Sequence, residues 1–420
     1  MTPAAPYDVV VVGLGLAGLT AALAAAEQGA RTLCVGKGWG TTHFRSGTVD
    51  VLGYLGERAV TAPLEALPEL IEQAPGHPYA TIAGALEPGL QLVREALEGA
   101  GIPTVGSVAR NRLVATAAGT YRSACLVPQT LDAGWQGARV LAVGFSGYRD
   151  FEPDLFCSVL PSRADRLGLT VRARGIRVEL PQLQRHHLDG MALARLFDGQ
   201  VFRRQLGRAV RGHIGSATLV VFPAVLGLAD PAGVMAALEQ ELGTPLVEVP
   251  TLPPSVPGVR LARALQEAIR ARKGRVQVGP QVTVEREGSR AAAVLVHGAA
   301  HPTRIPLRSL VLATGGLASG GLVVDGHGEI REPAAGLPVL QPEGPAEDWY
   351  KEDMLGDAQP VATAGLRYDA RLHALGEGGE PLENVYCCGG LLQGARRSIE
   401  CSAGGIAVAS GHLAGKEAAA

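Results

Sequence analysis

The sequence predicts an α/β fold: a discontinuous Rossmann-like domain carrying a second, inserted α/β domain. Three observations carry this. The chain opens on a strand–helix–strand pattern whose first turn reads G-x-G-x-x-G. Short β-branched runs that end in glycine alternate with Ala/Leu-rich stretches along its length. Glycine makes up 56 of 420 residues, against a usual share of ~7%.

Composition narrows the class further. With 47% hydrophobic residues and 19% charged ones, the chain can bury a core, and intrinsic disorder is excluded. A net charge of −2 and only 4% aromatic residues, with no basic block, argue against nucleic-acid binding. The six cysteines (34, 125, 157, 387, 388 and 401) show no C-x-x-C spacing, so no disulfide framework, zinc site or iron–sulfur centre is expected. His186, His187 and Asp189 have no second cluster at ligand spacing, and no metal is predicted. Val9 to Ala26 is uncharged, but its three glycines, Gly13, Gly15 and Gly18, read as a turn rather than a membrane span. No Lys/Arg-led signal peptide opens the chain, so a reducing cytoplasmic setting is the expectation.

Residues 7–12 form a β-branched run closed by Gly13, the pattern of a buried strand. Residues 15–28 have the Ala/Leu density of a buried helix with Gly29 as its C-cap, and 31–35 read as a second strand. Residues 57–105 read as largely helical. A second α/β pattern begins at 139 with "ARVLAVGFSG", a strand ending in glycine, followed by a helix over 150–165. "LGLTVRARGIRVEL" holds one long strand or two short ones, "ATLVVFPAVLG" a buried strand, and 231–242 a helix. "PTLPPSVPG" (250–258) is an extended, Pro-rich crossing segment. A helix over about 259–272 and three short strands of a meander follow. "RSLVLATGG" (308–316) is a buried strand running into glycines, as is "ENVYCCGG", and a last helix covers 404–419. The expected division is a Rossmann-like domain built from 1–62 and 258–420, with 63–250 inserted.

The first motif is the strongest. Gly13 permits the tight turn, Gly15 lets a phosphate approach the backbone, and Gly18 lets helix pack on strand, with free N–H groups at the helix start. The acid that should end the second strand and bond a ribose is absent, since the strand runs into Val35-Gly36-Lys37. Lys37 meeting a 2′-phosphate, a ribose held another way, and a cofactor without the adenosine half are the alternatives. The second motif is Thr314, Gly315 and Gly316 at the end of a late strand. The third is Gly389-Gly390 with Gly404-Gly405 opening the last helix, whose positive end suits a reduced flavin ring. The three in this order favour a flavin over a nicotinamide cofactor.

With these motifs in view, the chain resembles the B subunits of anaerobic glycerol-3-phosphate dehydrogenases. The likeness rests on "FRSGTVDVLG" (44–53), "HPYA" (77–80), "VGFSGYRDF" (143–151), "FPAVLGLAD" (222–230), "LPPSVPGVRL" (252–261), "SGGLVVDGHGEIREPAAGLPV" (319–339), "WYKED" (349–353), "PLENVYCCGGLLQG" (381–394) and "ECSAGGIAVAS" (400–410). It implies a flavoprotein that works with a homologous catalytic A subunit. It also implies an iron–sulfur C subunit that docks the pair to the inner face of the cell membrane. The complex would oxidise sn-glycerol 3-phosphate to dihydroxyacetone phosphate and pass electrons to quinone. The resemblance implies FMN; the fingerprint is equally compatible with FAD. The basic run "ARRSIE" (395–400) departs from the family pattern.

Ser46 and Gly47, in S-G-x-x-D after the second strand, are candidate cofactor contacts. His43 as a covalent flavin link is not required by the pattern. No catalytic residue is identified; Arg331 is a weak candidate, and Arg396-Arg397 read as surface or as a phosphate clamp. Cys387-Cys388 read as core. Two rival functions are a stand-alone fumarate-reductase-like flavin oxidoreductase and a non-catalytic electron-transfer or scaffold protein of the same complex.

Overall fold

The computed structural model describes residues 5–183, 188–298, 301–353 and 359–420. The principal elements in chain order are β1 (Tyr7–Val12), α1 (Leu16–Glu27), β2 (Thr32–Gly36), α2 (Pro63–Gln73), α3 (Leu86–Gly99), β3 (Arg139–Phe145), α4 (Pro153–Asp165), β4 (Arg172–Val178), α5 (Gly190–Asp198) and α6 (Gln200–Arg211). They continue with β5 (Leu219–Pro223), α7 (Pro231–Leu242), β6 (Leu246–Val249), α8 (Val256–Ala271), β7 (Arg275–Val278), β8 (Gln281–Glu287), β9 (Arg290–His297), β10 (Pro302–Leu312), β11 (His373–Leu375), β12 (Pro381–Cys387) and α9 (Ala403–Ala419).

The chain divides into two compact units, one of residues 1–42, 50–96 and 262–420, the other of 43–49 and 97–261. The first holds an eight-stranded sheet in the order β7-β2-β1-β10-β9-β8, with β12 also on β10 and β11 on β12. Its β7-β2-β1-β10-β12 part is parallel, and β10-β9-β8 is antiparallel. Strand β10 serves both parts: its first half pairs with β9, and Leu310–Leu312 pair with Val385–Cys387 of β12. The valines of β1 are fully or almost fully buried, as are the alanines of α1, which is why this segment reads as one uncharged run. Helix α9 lies on α1 through small residues: a Cβ on Gly411 would come 2.4 Å from Ala17 O, and one on Gly415 2.2 Å from Ala21 O. Backbones this close exclude any side chain.

The second unit is a parallel sheet in the order β4-β3-β5-β6. Its core is aromatic, with Phe145, Phe197 and Phe222 in mutual contact. An ion pair is buried in it, Arg260 Nη1 to Glu248 Oε2 at 2.8 Å, and Arg260 Nε also donates to the Gly227 carbonyl.

Several expectations are corrected. Residues 63–96 belong to the first unit rather than to the insertion, because Gly89 of α3 lies against Val408 and His412 of α9. The Tyr79 hydroxyl bonds the Val51 carbonyl in the same unit. Strand β7 is not part of the meander; it pairs in parallel with β2 as the sheet's edge. Of the two readings of "LGLTVRARGIRVEL", the single strand holds, as β4. Helix α8 begins inside the Pro-rich segment, at Val256. Strand β6 and helices α5 and α6 are additions that the sequence pattern does not announce.

Candidate functional site

The glycine motifs of the first unit meet at the carboxyl ends of β1 and β10. Gly13 follows Val12 at φ +123°, a conformation that only glycine adopts freely. A Cβ there would sit 2.2 Å from the Ala313 carbonyl oxygen, so the first turn lies directly against the end of β10. A Cβ on Gly18 would fall 2.0 Å from the Gly13 carbonyl oxygen. Gly15 differs: a Cβ on it would meet nothing within 4 Å, at φ −72°, which any residue tolerates. The side on which its Cβ would lie is open.

Gly15 is the N-cap of α1 and supplies no side-chain bond, and the first turn of the helix carries no acid. The unsatisfied N–H groups and the positive helix end are therefore uncompensated by side chains, a setting that suits an anion. The segment after β2 closes on the same turn. A Cβ on Gly40, at φ +65°, would lie 2.8 Å from Gly15 N and Cα. Thr42, two residues on, is buried with its hydroxyl unpartnered, and the buried Thr314 hydroxyl at the end of β10 is unpartnered too. Buried hydroxyls cost free energy unless bonded. Two orphaned donors and an uncapped helix start beside an open glycine fit a phosphate-bearing cofactor.

Gly315, Gly316, Gly389 and Gly390 lie together: a Cβ on Gly390 would be 2.7 Å from Gly316 N, and one on Gly389 2.6 Å from Ala17 Cβ. The Gly389 amide donates to Ser410 Oγ of α9 at 2.9 Å. Gly404 and Gly405 are buried in the first turn of α9, and the Gly405 amide donates to the Asp50 carbonyl at 2.6 Å. Lys37 is exposed after β2. Ser46 and Gly47 fall in the second unit. There Ser46 Oγ lies 2.7 Å from Thr48 Oγ1, and Gly47, at φ +76°, packs on Pro257. The His43 carbonyl accepts from the Ser255 amide.

Sequence reasoning missed a buried group in front of α9. The His77 side chain is fully buried; its Nδ1 accepts from the Tyr79 amide at 3.1 Å, which leaves Nε2 to donate to Glu400 Oε2 at 3.2 Å. Ser402 Oγ donates to Glu400 at 2.7 Å, and the Arg396 amide donates at 2.9 Å. Burial pushes the Glu400 carboxyl up, but these bonds outweigh it and hold it below the ordinary carboxylate range. The "HPYA" signature contained this histidine without showing its partner, 323 residues away.

Arg331, the weak catalytic candidate, is paired with two acids of its own loop. It is exposed and bonded to Asp325 Oδ2 at 2.8 Å and Glu329 Oε2 at 2.9 Å in a small hairpin. Arg397 is the partly buried arginine near the glycines: its Nη2 donates to the Leu392 carbonyl, while its buried Nε has no partner. Burial lowers its pKa against the opposing pull of Glu400. The cysteines are all free thiols; Cys387 and Cys388 are fully buried core residues, with burial pushing the Cys388 thiol up to about 12. His186 and His187 lie outside the described residues. Among the described residues no group of three or more His, Cys, Asp or Glu could hold a metal.

The FAD binding domain family model matches residues 8–406. The chain is similar to the B subunit of the anaerobic glycerol-3-phosphate dehydrogenase of Pectobacterium atrosepticum, at 34% identity over 97% of each chain. It is 31% identical to the protein of that name from Vibrio cholerae, over 97% of this chain and 95% of that one. Among solved structures, 3-ketosteroid delta1-dehydrogenase from Sterolibacterium denitrificans matches at 14% identity and a TM-score of 0.46, covering 98% of this chain and 99% of that one.

Proposed function

Because the chain belongs to the family of anaerobic glycerol-3-phosphate dehydrogenase B subunits, flavoproteins with an FAD binding domain, we propose that it is the flavin subunit of a respiratory enzyme. That enzyme oxidises sn-glycerol 3-phosphate to dihydroxyacetone phosphate and passes the electrons to quinone. Its partners are a homologous A subunit and an iron–sulfur C subunit, through which it reaches the inner face of the cell membrane. The observation that carries this reading is the meeting of three glycine segments around an open, uncapped helix start, in a chain alike over 97% of its length to the relatives named for that activity.

The flavin supplies the acceptance of a hydride from the alcohol carbon. In this reading Gly13, Gly15 and Gly18 bring backbone N–H groups and the α1 dipole to the cofactor phosphate. Thr42 and Thr314 donate their unpartnered hydroxyls to it, while Gly315, Gly316, Gly389 and Gly390 keep the path beside it free of side chains. Gly404 and Gly405 would serve the ring from the start of α9, whose positive end suits a reduced flavin. Arg397, with an unpartnered buried Nε, is the group to hold the substrate phosphate. FAD is the form the family model describes; the absent acid after β2 is the feature that favours FMN, and acid release with chromatography decides between them.

The substrate claim is tested by anaerobic titration of the flavin-loaded chain with glycerol 3-phosphate. The reading predicts bleaching of the flavin absorbance in the wild type. It predicts a rise of tenfold or more in the half-saturating concentration for Arg397→Gln at unchanged flavin content. A flavin that does not bleach would place the substrate site in the A subunit and contradict it.

A further inference from the structure

A second charged site lies in the first unit, at the opposite ends of the strands that carry the glycine turns. A cavity of about 620 Å3 is lined by Tyr7, Arg31, Leu33, Arg270, Arg275 and Arg304, among others, a size typical of small-molecule sites. Tyr7 opens β1 and Arg275 opens β7, while Arg304 lies in the first half of β10. At a rise of ~3.3 Å per residue, the length of β1 puts about 17 Å between Tyr7 and the glycine end.

The charges here do not balance internally. Arg304 is spent on Glu285, with Nη2 to Oε1 at 2.8 Å. Asp8, the nearby acid, accepts from the Arg31 backbone amide at 2.8 Å and pairs with Arg308 at 3.3 Å. Glu27 pairs with Arg272 at 3.0 Å. Among the described residues no carboxylate pairs with the guanidinium of Arg31, Arg270 or Arg275.

Two of these exposed arginines lean on one tyrosine. The Arg31 guanidinium lies over the Tyr7 ring at 4.5 Å from its centre, and its Nη1 donates to the Ala5 carbonyl at 2.7 Å. Arg275 Nη1 reaches the hydroxyl of the same tyrosine at 3.5 Å. Like charges gathered on one side chain repel unless an anion lies among them. Planar guanidinium forks match the oxygens of a phosphate, and the shared contacts with Tyr7 offset part of the cost of ordering them.

We propose that this cavity binds a small multivalent anion of the phosphate class, at a site separate from the flavin. The test is calorimetric titration of the flavin-loaded full chain with inorganic pyrophosphate, at ionic strength matched with potassium chloride. Saturable one-to-one binding is expected, weakened at least tenfold in the Arg31→Gln, Arg275→Gln double variant at unchanged flavin content. No saturable heat beyond the chloride control, or equal binding by that variant, would overturn the proposal. So would citrate binding as tightly as pyrophosphate, which would mark a carboxylate site. Should the double variant not fold, Arg270→Gln carries the test. Its guanidinium makes only a long 3.5 Å bond to Gln266 among the described residues, so its loss disturbs the fold little. A threefold or greater weakening is expected, and unchanged affinity would overturn the proposal.

Discussion

Gly15 and Gly18 are three residues apart in one motif and have opposite physical reasons to be glycine. A Cβ on Gly18 runs into the Gly13 carbonyl oxygen at 2.0 Å, whereas a Cβ on Gly15 meets no protein atom within 4 Å. Alanine at 15 is therefore tolerated by the fold and obstructs what approaches the helix start from outside. Alanine at 18 forces the turn off the helix. Flavin-free Gly15→Ala is expected to melt within about 2 °C of the flavin-free wild type while failing to take up most of the flavin, since surface changes away from packed contacts shift stability by only ~0.5 kcal/mol. Gly18→Ala is expected to lose stability and flavin together. Purification of both variants with flavin-to-protein absorbance ratios and melting curves checks this. Full flavin in Gly15→Ala would show that the phosphate is held elsewhere. At this scale the sequence revealed the glycines but not the threonines. A hydroxyl in "GTTHF" or "LATGG" gives no sign of being buried and unpartnered until the loop after β2 is seen closing on Gly15.

At the scale of elements, the approach to α9 is held by a side-chain network rather than by packing alone. Glu400 accepts from His77, from Ser402 and from the Arg396 amide, and its backbone carbonyl accepts from the Gly53 amide. Glu400→Gln removes the charge from a largely buried acceptor and is expected to cost about 1–3 kcal/mol. The pH dependence follows from the direction of the shift. Because the folded carboxyl is held below its unfolded value of ~4.3, its contribution is fully present above that value. It is lost as pH falls through the folded pKa. The urea midpoints of wild type and Glu400→Gln should differ at pH 6 and converge as pH drops below about 4; a gap that stays constant would contradict the network. The strands and helices themselves were legible where a buried apolar run ends in glycine, as in β1, β10, β12 and β3. Strand β7 misleads because its alternating pattern suits the edge of a parallel sheet as well as a meander. Strand β6, four buried residues long, is too short to stand out beside a proline-rich segment.

For the whole molecule, the division into two units was legible in outline and wrong at residues 43–49 and 63–96. The amphipathic faces of α2 and α3 record that they are covered, not by what. The deciding contact is Gly89 on Val408, between positions more than three hundred residues apart. Among the described residues no helix is long and apolar enough to cross a membrane. On the proposed function, the route from flavin to quinone runs through the partner subunits. The most direct measurement is glycerol-3-phosphate-dependent reduction of a quinone analogue at matched flavin content, by the chain alone and by the chain assembled with its A and C partners. The account predicts turnover by the assembly and a rate at least a hundredfold lower for the isolated chain, whose flavin nonetheless bleaches with substrate. Equal turnover by the isolated chain would contradict it and identify a stand-alone oxidoreductase.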